Sequence, residues 1–469
     1  MPKHKGIESE QDAAASSLGP EIRAQSTQRG ARSLVEEDVR GPLRCARCLL
    51  ESSVLLWAGV LWIGAMPGVP CWAQNFEQRG YFETDLTLYP QTAPNDSSHA
   101  VADTLFRYEA SYKAASWLTL FGSFDARTDT HRDVQRSWRL DLEDRSLQRP
   151  SFSLRRLSVM AHKGIVTFEV GRQFIRWGKA DILNPVDRFA PKDFLTVVDT
   201  DFLAVPAARL TVESGSNTYD FVWQPRFTPS RTPLLNQRWT VFPESTAGIP
   251  VYDLGSRYPD GSQGGVRWNH VGRGYEFSLS YFDGYNYLPL LDATVSLQPL
   301  SMGISSIGIQ RYYPRLRLYG ADAAVPLKWF TVKTEEAWFG SPDGQAEEYA
   351  LYVMELEREV GEWSFVAGYA GEVVTASKPN LLQFAPDRGF ARTFLGHANY
   401  NLGPTRSIGV ETAIRQNGKG LWLQCEYSQS LGQHWRATAG FTWIHGNPSD
   451  FLGQYRRNSH ALLALRYSF

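Results

Sequence analysis

The sequence predicts an all-β fold, a transmembrane antiparallel β-barrel of about 16 to 18 strands with long extracellular loops. Three observations support this prediction. Apolar and polar residues alternate in many short segments after residue 73. Short and long connectors follow one another in turn, as periplasmic turns and extracellular loops do in bacterial barrels. The last nine residues, 461–469, form an amphipathic strand that ends in an aromatic residue.

Residues 1–73 are predicted to be an N-terminal extension with a signal peptide, and residues 74–469 to be the barrel. The run 54–69 is apolar but short for a helix that spans a membrane. Two arginines precede this run and Ala73 offers a cleavage site, so the mature chain is expected to begin at Gln74. A signal anchor that is never removed is the alternative. The extension is longer than a signal needs, which a start codon assigned too far upstream explains.

The composition excludes several other classes of protein. The formal net charge is −1, from 48 basic and 49 acidic residues, so there is no electrostatic case for nucleic-acid binding. Aromatic residues make up 13% of the chain, which is typical of a barrel with aromatic girdles at two interfaces. Of the four cysteines, only Cys425 follows residue 73, which excludes a disulfide within the mature chain. No metal-ligand spacing and no nucleotide-binding loop is present, so no metal and no cofactor is predicted.

The alternating segments predict the strands of the barrel. The clearest are 106–112, 118–127, 166–170, 275–281, 352–357 and 435–443. Eight short turns and nine long loops separate the predicted strands, which gives 18 strands, and 16 remains open. An even number places both termini on the periplasmic side. Aromatic residues recur beside the short turns, for example at Trp117, Trp329, Trp363 and Trp435, and predict an interfacial girdle there.

The carboxy-terminal strand has one apolar and one polar face. Leu465, Tyr467 and Phe469 share the first face, and Arg466 and Ser468 lie on the other. This ending resembles the closing strand of Gram-negative outer-membrane barrels, where a final aromatic residue is part of the signal read by the insertion machinery. The resemblance implies the bacterial outer membrane as the location after signal removal. It also implies outer-membrane lipid and the barrel-assembly machinery as partners.

The connector 171–205 is the most distinctive segment for function. A loop of this length within a barrel is usually functional or folded inward, and this one carries charges of both signs. Opposed charges in a confined lumen form a transverse field that orders ions and polar solutes. The predicted pore and constriction residues in this connector are Arg172, Gln173, Arg176, Lys179, Asp181, Asp187, Arg188 and Lys192. The polar parity of two early strands adds Arg107, Glu109, Asp125 and Arg127 as wall residues.

Within this connector, a Gly-Arg-Gln strand end at 171–173 is followed by Trp177-Gly178 and by the turn Asn184-Pro185-x-Asp187. At these residues the chain resembles proteobacterial porin-type outer-membrane barrels, including alginate-export-like proteins and uncharacterised relatives. The resemblance is specific over 171–187 only. It implies an outer-membrane barrel with no settled substrate. The turn residues Trp177, Gly178, Asn184 and Pro185 belong either to a constriction inside the barrel or to a surface turn.

The predicted function is therefore a porin or channel that passes small polar or charged solutes or an oligosaccharide, with a homo-oligomer as a further expectation. A structural or adhesion barrel, whose loops bind an exopolysaccharide or a partner, is one alternative. A lipid-active hydrolase is another, but no catalytic residues are predicted and the protein is not expected to be an enzyme. Ser158 and His162 share a parity but lie four residues apart, about 13 Å along a strand, which exceeds hydrogen-bond reach.

We expect removal of the signal near Ala73, because the apolar run 54–69 has the length and flanks of a signal peptide. Mass spectrometry of protein extracted from the outer membrane should find a first residue close to Gln74. Peptides from the run 54–69 in the purified protein would contradict this expectation.

Overall fold

The computed structural model describes residues 75–242, 246, 248–297, 304–379 and 381–469, so the predicted extension and signal peptide lie outside the described residues. The described residues form a closed antiparallel barrel of 18 long strands, in which each strand pairs with the next and the last pairs with the first. A two-residue strand at Leu140–Asp141 pairs with the edge of one barrel strand. The predicted fold class is confirmed, and 18 strands replace the range of 16 to 18.

The strands alternate apolar and polar residues and are rich in β-branched and aromatic side chains. In chain order they are β1 Phe76–Leu88, β2 Ala100–Ala115, β3 Leu118–Asp129, β4 Phe152–Lys163, β5 Val166–Gln173, β6 Val205–Ser214, β7 Asn217–Gln224, β8 Gln263–Gly272, β9 Tyr275–Tyr285, β10 Arg315–Pro326, β11 Thr331–Gly340, β12 Glu348–Val360, β13 Trp363–Ala376, β14 Thr393–Gly403, β15 Arg406–Arg415, β16 Gly420–Leu431, β17 Trp435–Gly446 and β18 His460–Ser468.

Short turns and longer loops lie at opposite ends of the barrel. Eight short turns, the number expected from the sequence, join β2 to β3 and every second pair after it. The other end carries the loops 89–99, 130–151, 174–204, 225–262, 286–314, 341–347, 377–392, 416–419 and 447–459. The loop 416–419 is a tight connection, so the regular rhythm predicted from the sequence is broken once. Both ends of the barrel chain, β1 and β18, meet at the end that carries the short turns.

The loops carry some structure of their own. Three short strands, Val251–Arg257, Leu290–Leu297 and Ile304–Tyr312, form a separate sheet above the barrel. A single helical turn lies at Pro386–Gly389 and a 3-10 turn at Gly453–Asn458. Among the residues that the structure describes, no helix combines the length and the apolar character needed to cross a membrane.

The outer face of the barrel is apolar and is bordered by aromatic rings. Trp329, Trp363 and Trp435 are exposed beside short turns, as predicted. A second row of rings lies toward the loops on neighbouring strands. In this row the rings of Tyr281 and Tyr319 lie 5.1 Å apart, and those of Tyr319 and Trp338 lie 5.9 Å apart. The two rows match the two interfacial girdles of a transmembrane barrel.

The seam between β1 and β18 uses the last residue of the chain. The backbone N–H of Phe469 donates to the carbonyl of Gly80 at 3.0 Å, and the N–H of Gly80 donates back to Phe469 at 3.0 Å. Leu465 points outward with 45% of its surface exposed, whereas Arg466 points inward and forms an ion pair with Glu83. The two faces predicted for this strand are therefore confirmed.

We expect Leu465→Arg to destabilise the barrel, because a guanidinium on the lipid face must leave water. The cost is about 2–4 kcal/mol near the bilayer midplane and less toward an interface. The matched change Arg466→Leu, on the inward face, should have a smaller effect. Reversible unfolding in lipid vesicles, followed by tryptophan fluorescence, measures both. Equal losses for the two variants would contradict the assigned faces.

Candidate functional site

The loop 174–204, the third loop of the barrel, lies inside the barrel. Its apolar side chains form two buried clusters with inward-facing residues of strands around the wall. In the first cluster, Ile175, Trp177, Val186 and Phe189 join Val205, Ala207, Val222, Phe282, Leu316, Leu318, Ala337, Phe339, Tyr349 and Leu351. In the second, Ala180, Leu183 and Val197 join Val353, Ala370, Leu395, Ala413, Trp422 and Ile444, with Trp239, Leu452 and Tyr455 from other loops. A segment whose side chains share these clusters with inward-facing residues of strands β6 to β17 runs through the lumen.

Glu335 of β11 holds the backbone of the third loop. Its side chain has no exposed surface, and its oxygens accept the backbone N–H of Lys179 at 3.0 Å, Ala180 at 3.2 Å and Val186 at 2.9 Å. A Cβ atom at Gly178 would lie 2.7 Å from one of these oxygens. The glycine of the Trp-Gly motif therefore allows the carboxylate to approach the loop.

Glu355 of the neighbouring strand β12 continues this contact. It is also fully buried and accepts the backbone N–H of Asp181 at 2.7 Å and of Ile182 at 3.1 Å. Buried backbone amides need acceptors, and the irregular loop supplies few of its own. The two wall carboxylates therefore anchor the loop by its main chain.

The Asn-Pro-x-Asp turn organises the loop itself. Asp187 accepts the backbone N–H groups of Trp177 and of Gly178, the latter at 3.1 Å, and the Nε of Arg176 at 3.1 Å. The Nη2 of Arg176 donates a hydrogen bond to the side-chain oxygen of Asn184 at 3.3 Å. The motif residues Trp177, Gly178, Asn184 and Pro185 thus belong to a compact turn inside the barrel rather than to a surface turn.

The other charges near this turn pair with the wall. The Lys179 ammonium lies 2.6 Å from a carboxylate oxygen of Glu276 and 3.1 Å from one of Asp322. Asp181 lies 2.7 Å from the Lys333 ammonium. Close ion pairs with the wall therefore hold these two charged side chains of the loop in place.

Arg188 lies in an aromatic cage behind the third loop. It is buried, and its guanidinium carbon lies 4.5 Å from the ring centre of Tyr287 and 5.0 Å from that of Phe339. Asp387 accepts a hydrogen bond from the Tyr287 hydroxyl at 3.2 Å and lies 3.6 Å from Arg188. Burial raises the pKa of the Tyr287 phenol well above its ordinary value, so this ring remains a neutral donor.

Arg172 and Gln173 end β5 and point into packed surroundings. Arg172 donates to the carbonyl of Leu142 at 3.0 Å and to Asp144 at 3.1 Å, which joins it to the second loop. Gln173 has no exposed surface and donates its side-chain amide to the carbonyl of Ala207 at 3.0 Å. Both residues lie at the root of the third loop.

A cluster of arginines faces the end of the third loop from strands β2 to β4. Arg107 and Asp125 pair at 2.7 Å, which confirms their shared parity. Asp201 of the third loop lies 3.6 Å from Arg107, 3.8 Å from Arg127 and 3.5 Å from Arg155. We call these five residues the charged wall cluster.

The charged wall cluster continues on both sides. On the strand side, Glu109 lies 3.6 Å from Arg155. On the loop side, the ring of Phe202 lies under two cations: the guanidinium carbon of Arg176 is 4.1 Å from the ring centre and the Lys192 nitrogen is 5.5 Å from it. The predicted residues Arg107, Glu109, Asp125, Arg127, Arg176 and Lys192 are therefore brought together around one sector of the lumen.

Sequence reasoning did not single out Glu335 or Arg155 as site residues. Glu335 shares the inward parity of β11 with Ala337 and Phe339, and an acid beside apolar inward residues was a usable signal. Arg155 had no such signal, because a β-bulge between β3 and β4 places it on the lumen side beside Arg156.

The comparisons with known proteins identify structures of similar shape. No protein-family model and no curated protein matches the sequence. Among solved structures, a BenF-like porin from Pseudomonas fluorescens Pf-5 is 9% identical with a TM-score of 0.49, over 84% of this chain and 97% of that one. OccK3 (OpdO) from Pseudomonas aeruginosa is 11% identical with a TM-score of 0.47, over 84% and 96% of the two chains. OccAB4 from Acinetobacter baumannii is 9% identical with a TM-score of 0.48, over 84% and 99%. Each TM-score is below 0.5, and the fold is therefore assigned from the strand pairing of this chain itself.

Proposed function

We propose that the protein is an outer-membrane channel that passes small polar or charged solutes along the charged wall cluster, where the third loop meets strands β2 to β4. One observation carries this proposal. The apolar side chains of the third loop pack against strands β6 to β17, whereas near the end of the loop the carboxylate of Asp201 meets three arginines of β2 to β4. Ions and polar solutes need water or polar partners along their path, so the charged sector suits them and the apolar clusters do not.

The charged sector keeps contact with water. The side chain of Asp201 is 31% exposed and that of Glu109 is 22% exposed, whereas the side chains of the two apolar clusters are buried. Salt screens charges in a narrow lumen less than charges on an open surface, so these groups act strongly on a passing ion. The third loop thus constricts the lumen and leaves a polar path on one side.

The balance of charge along this path favours anions. Arg79, Arg107, Arg127 and Arg155 face three carboxylates, those of Glu109, Asp125 and Asp201. All seven groups are linked by ion pairs, so the field is local and the preference is expected to be weak. Of the predicted pore residues, Arg107, Glu109, Asp125, Arg127 and Arg176 are assigned to this path. Lys179, Asp181, Asp187, Arg188 and Arg172 hold the loop in place.

The closer relationship to alginate-export-like proteins is also a proposal, supported by the motif at 171–187. The compact turn that Asp187 organises gives the motif a structural role that a shared family would retain. We also propose that the signal peptide is removed, because of the apolar run 54–69, and that the barrel-assembly machinery inserts the barrel, because of the carboxy-terminal strand. A homo-oligomeric state is a further proposal. The short-turn end then faces the periplasm and the loops face outward.

We expect the double change Arg127→Gln and Arg155→Gln to shift ion preference toward cations, because it removes two positive charges from the path and leaves the carboxylates. The reversal potential of single channels in a planar bilayer under a salt gradient measures this preference.

Shortening the third loop should raise the conductance of single channels if the barrel still folds.

The control for the reversal-potential experiment is Arg358→Gln. Arg358 lies on the outer face beside Trp329, with its guanidinium carbon 5.6 Å from the ring centre, so an arginine charge is removed away from the lumen. If the double variant and the control have the reversal potential of the wild type, the path does not pass the charged wall cluster.

We also expect the double change Glu335→Gln and Glu355→Gln to loosen the third loop. A glutamine offers one acceptor oxygen in place of two, and a buried N–H group left without an acceptor costs about 1–3 kcal/mol. The loop should then sample open positions, seen as larger and noisier single-channel currents and as faster tryptic cleavage after Arg176 or Lys192.

Glu359→Gln is the matched control for the anchors. Glu359 belongs to the same wall strand as Glu355 but lies exposed near its short-turn end. Currents and cleavage rates of the double variant that equal those of this control would show that the wall carboxylates do not hold the loop.

A further inference from the structure

Two arginines, Arg315 and Arg317, lie on the outer face of the barrel at the loop end of β10. The side chains of Arg315 and Arg317 are 43% and 46% exposed. Asp283 of β9 lies between them, 2.8 Å from Arg315 and 3.1 Å from Arg317. This pair of guanidiniums does not face the lumen, because Leu316 and Leu318 occupy the inward positions of the same strand.

The position of the pair relative to the aromatic row is informative. Tyr319 follows Arg317 on the same outward face, and its ring belongs to the row formed with Tyr281 and Trp338. Aromatic rows of this kind mark the boundary between the hydrocarbon core and the headgroups. With a rise of about 3.3 Å per residue, Arg317 lies roughly 7 Å and Arg315 roughly 13 Å beyond Tyr319 toward the loops. Both guanidiniums therefore reach the level of the lipid headgroups.

We propose that Arg315 and Arg317 bind a phosphate group of an anionic lipid in the leaflet that faces the loops. The guanidinium group presents planar pairs of N–H donors that match two phosphate oxygens. Asp283 uses one side of each guanidinium, and their exposed surface leaves donors for a ligand. The proposal rests on the proposed outer-membrane orientation, in which this leaflet contains lipid A, a glycolipid with phosphate groups.

The carboxylates near the pair set the expected strength of binding. Asp283 holds the two guanidiniums side by side, but its negative charge opposes a phosphate. Asp343 in the following loop is a second negative charge that acts on Arg315. Removing the Asp283 charge should therefore strengthen binding of a phosphate, whereas removing the two arginines should abolish it. If the three residues were only a structural ion-pair cluster, both changes would lower stability and neither would alter lipid binding.

The test uses the full barrel in detergent micelles, to which lipid A is added, with native mass spectrometry to count bound lipid. We expect the double variant Arg315→Gln and Arg317→Gln to bind at least tenfold more weakly than the wild type. Asp283→Asn should bind lipid A at least as tightly as the wild type. Arg358→Gln, an outward arginine at the opposite girdle, should bind like the wild type. Heat-modifiable migration on a gel confirms that each variant is folded.

The ligand arms identify the chemistry. Dephosphorylated lipid A should bind the wild type as weakly as lipid A binds the double variant, and millimolar inorganic phosphate should not displace lipid A. Equal binding of lipid A to the wild type and the double variant would overturn the proposal, as would equal binding of both forms of lipid A. Displacement by inorganic phosphate would overturn the assignment to a lipid. None of these measurements needs a conducting barrel, so failure of the proposed channel function would leave them interpretable.

Discussion

The main structural constraint on this barrel is that buried backbone amides must find acceptors. The third loop has almost no helix or strand of its own, yet it lies in the lumen where little water reaches it. Glu335 and Glu355 accept five of its N–H groups, and Asp187 accepts two more from within the loop. Once the main chain is held in this way, the apolar side chains of the loop can pack on the wall.

The packing that follows divides the lumen into unequal sectors. On one side, small wall residues let the loop come close: a Cβ atom at Gly320 would lie 2.5 Å from a methyl carbon of Val186. On the other side, ion pairs between Asp201 and the wall arginines hold the loop backbone away from the wall by the length of the charged side chains. Shape and charge are therefore coupled, because the contacts that close most of the lumen also determine which wall a polar solute meets.

The sequence predicts the barrel better than it predicts the site. Period-two alternation is local, so it assigns Leu465 and Arg466 to opposite faces and places the turns without any knowledge of pairing. Charge and length indicate correctly that the third loop is unusual. The partners of its residues are a different matter: Glu335 meets amides about 150 positions earlier, and Arg172 meets Asp144 of another loop.

The seam between Phe469 and Gly80 has a consequence for how the barrel forms. These hydrogen bonds join the two ends of the barrel sequence, so a chain that lacks β1 or β18 cannot make them. Until the final strand arrives, β1 presents one full row of unpaired backbone groups, a template to which other chains can add. Contacts of such long sequence separation also form slowly. The order of synthesis therefore leaves the first strand as an open edge for the longest time, and a factor that shields this edge would protect the protein most.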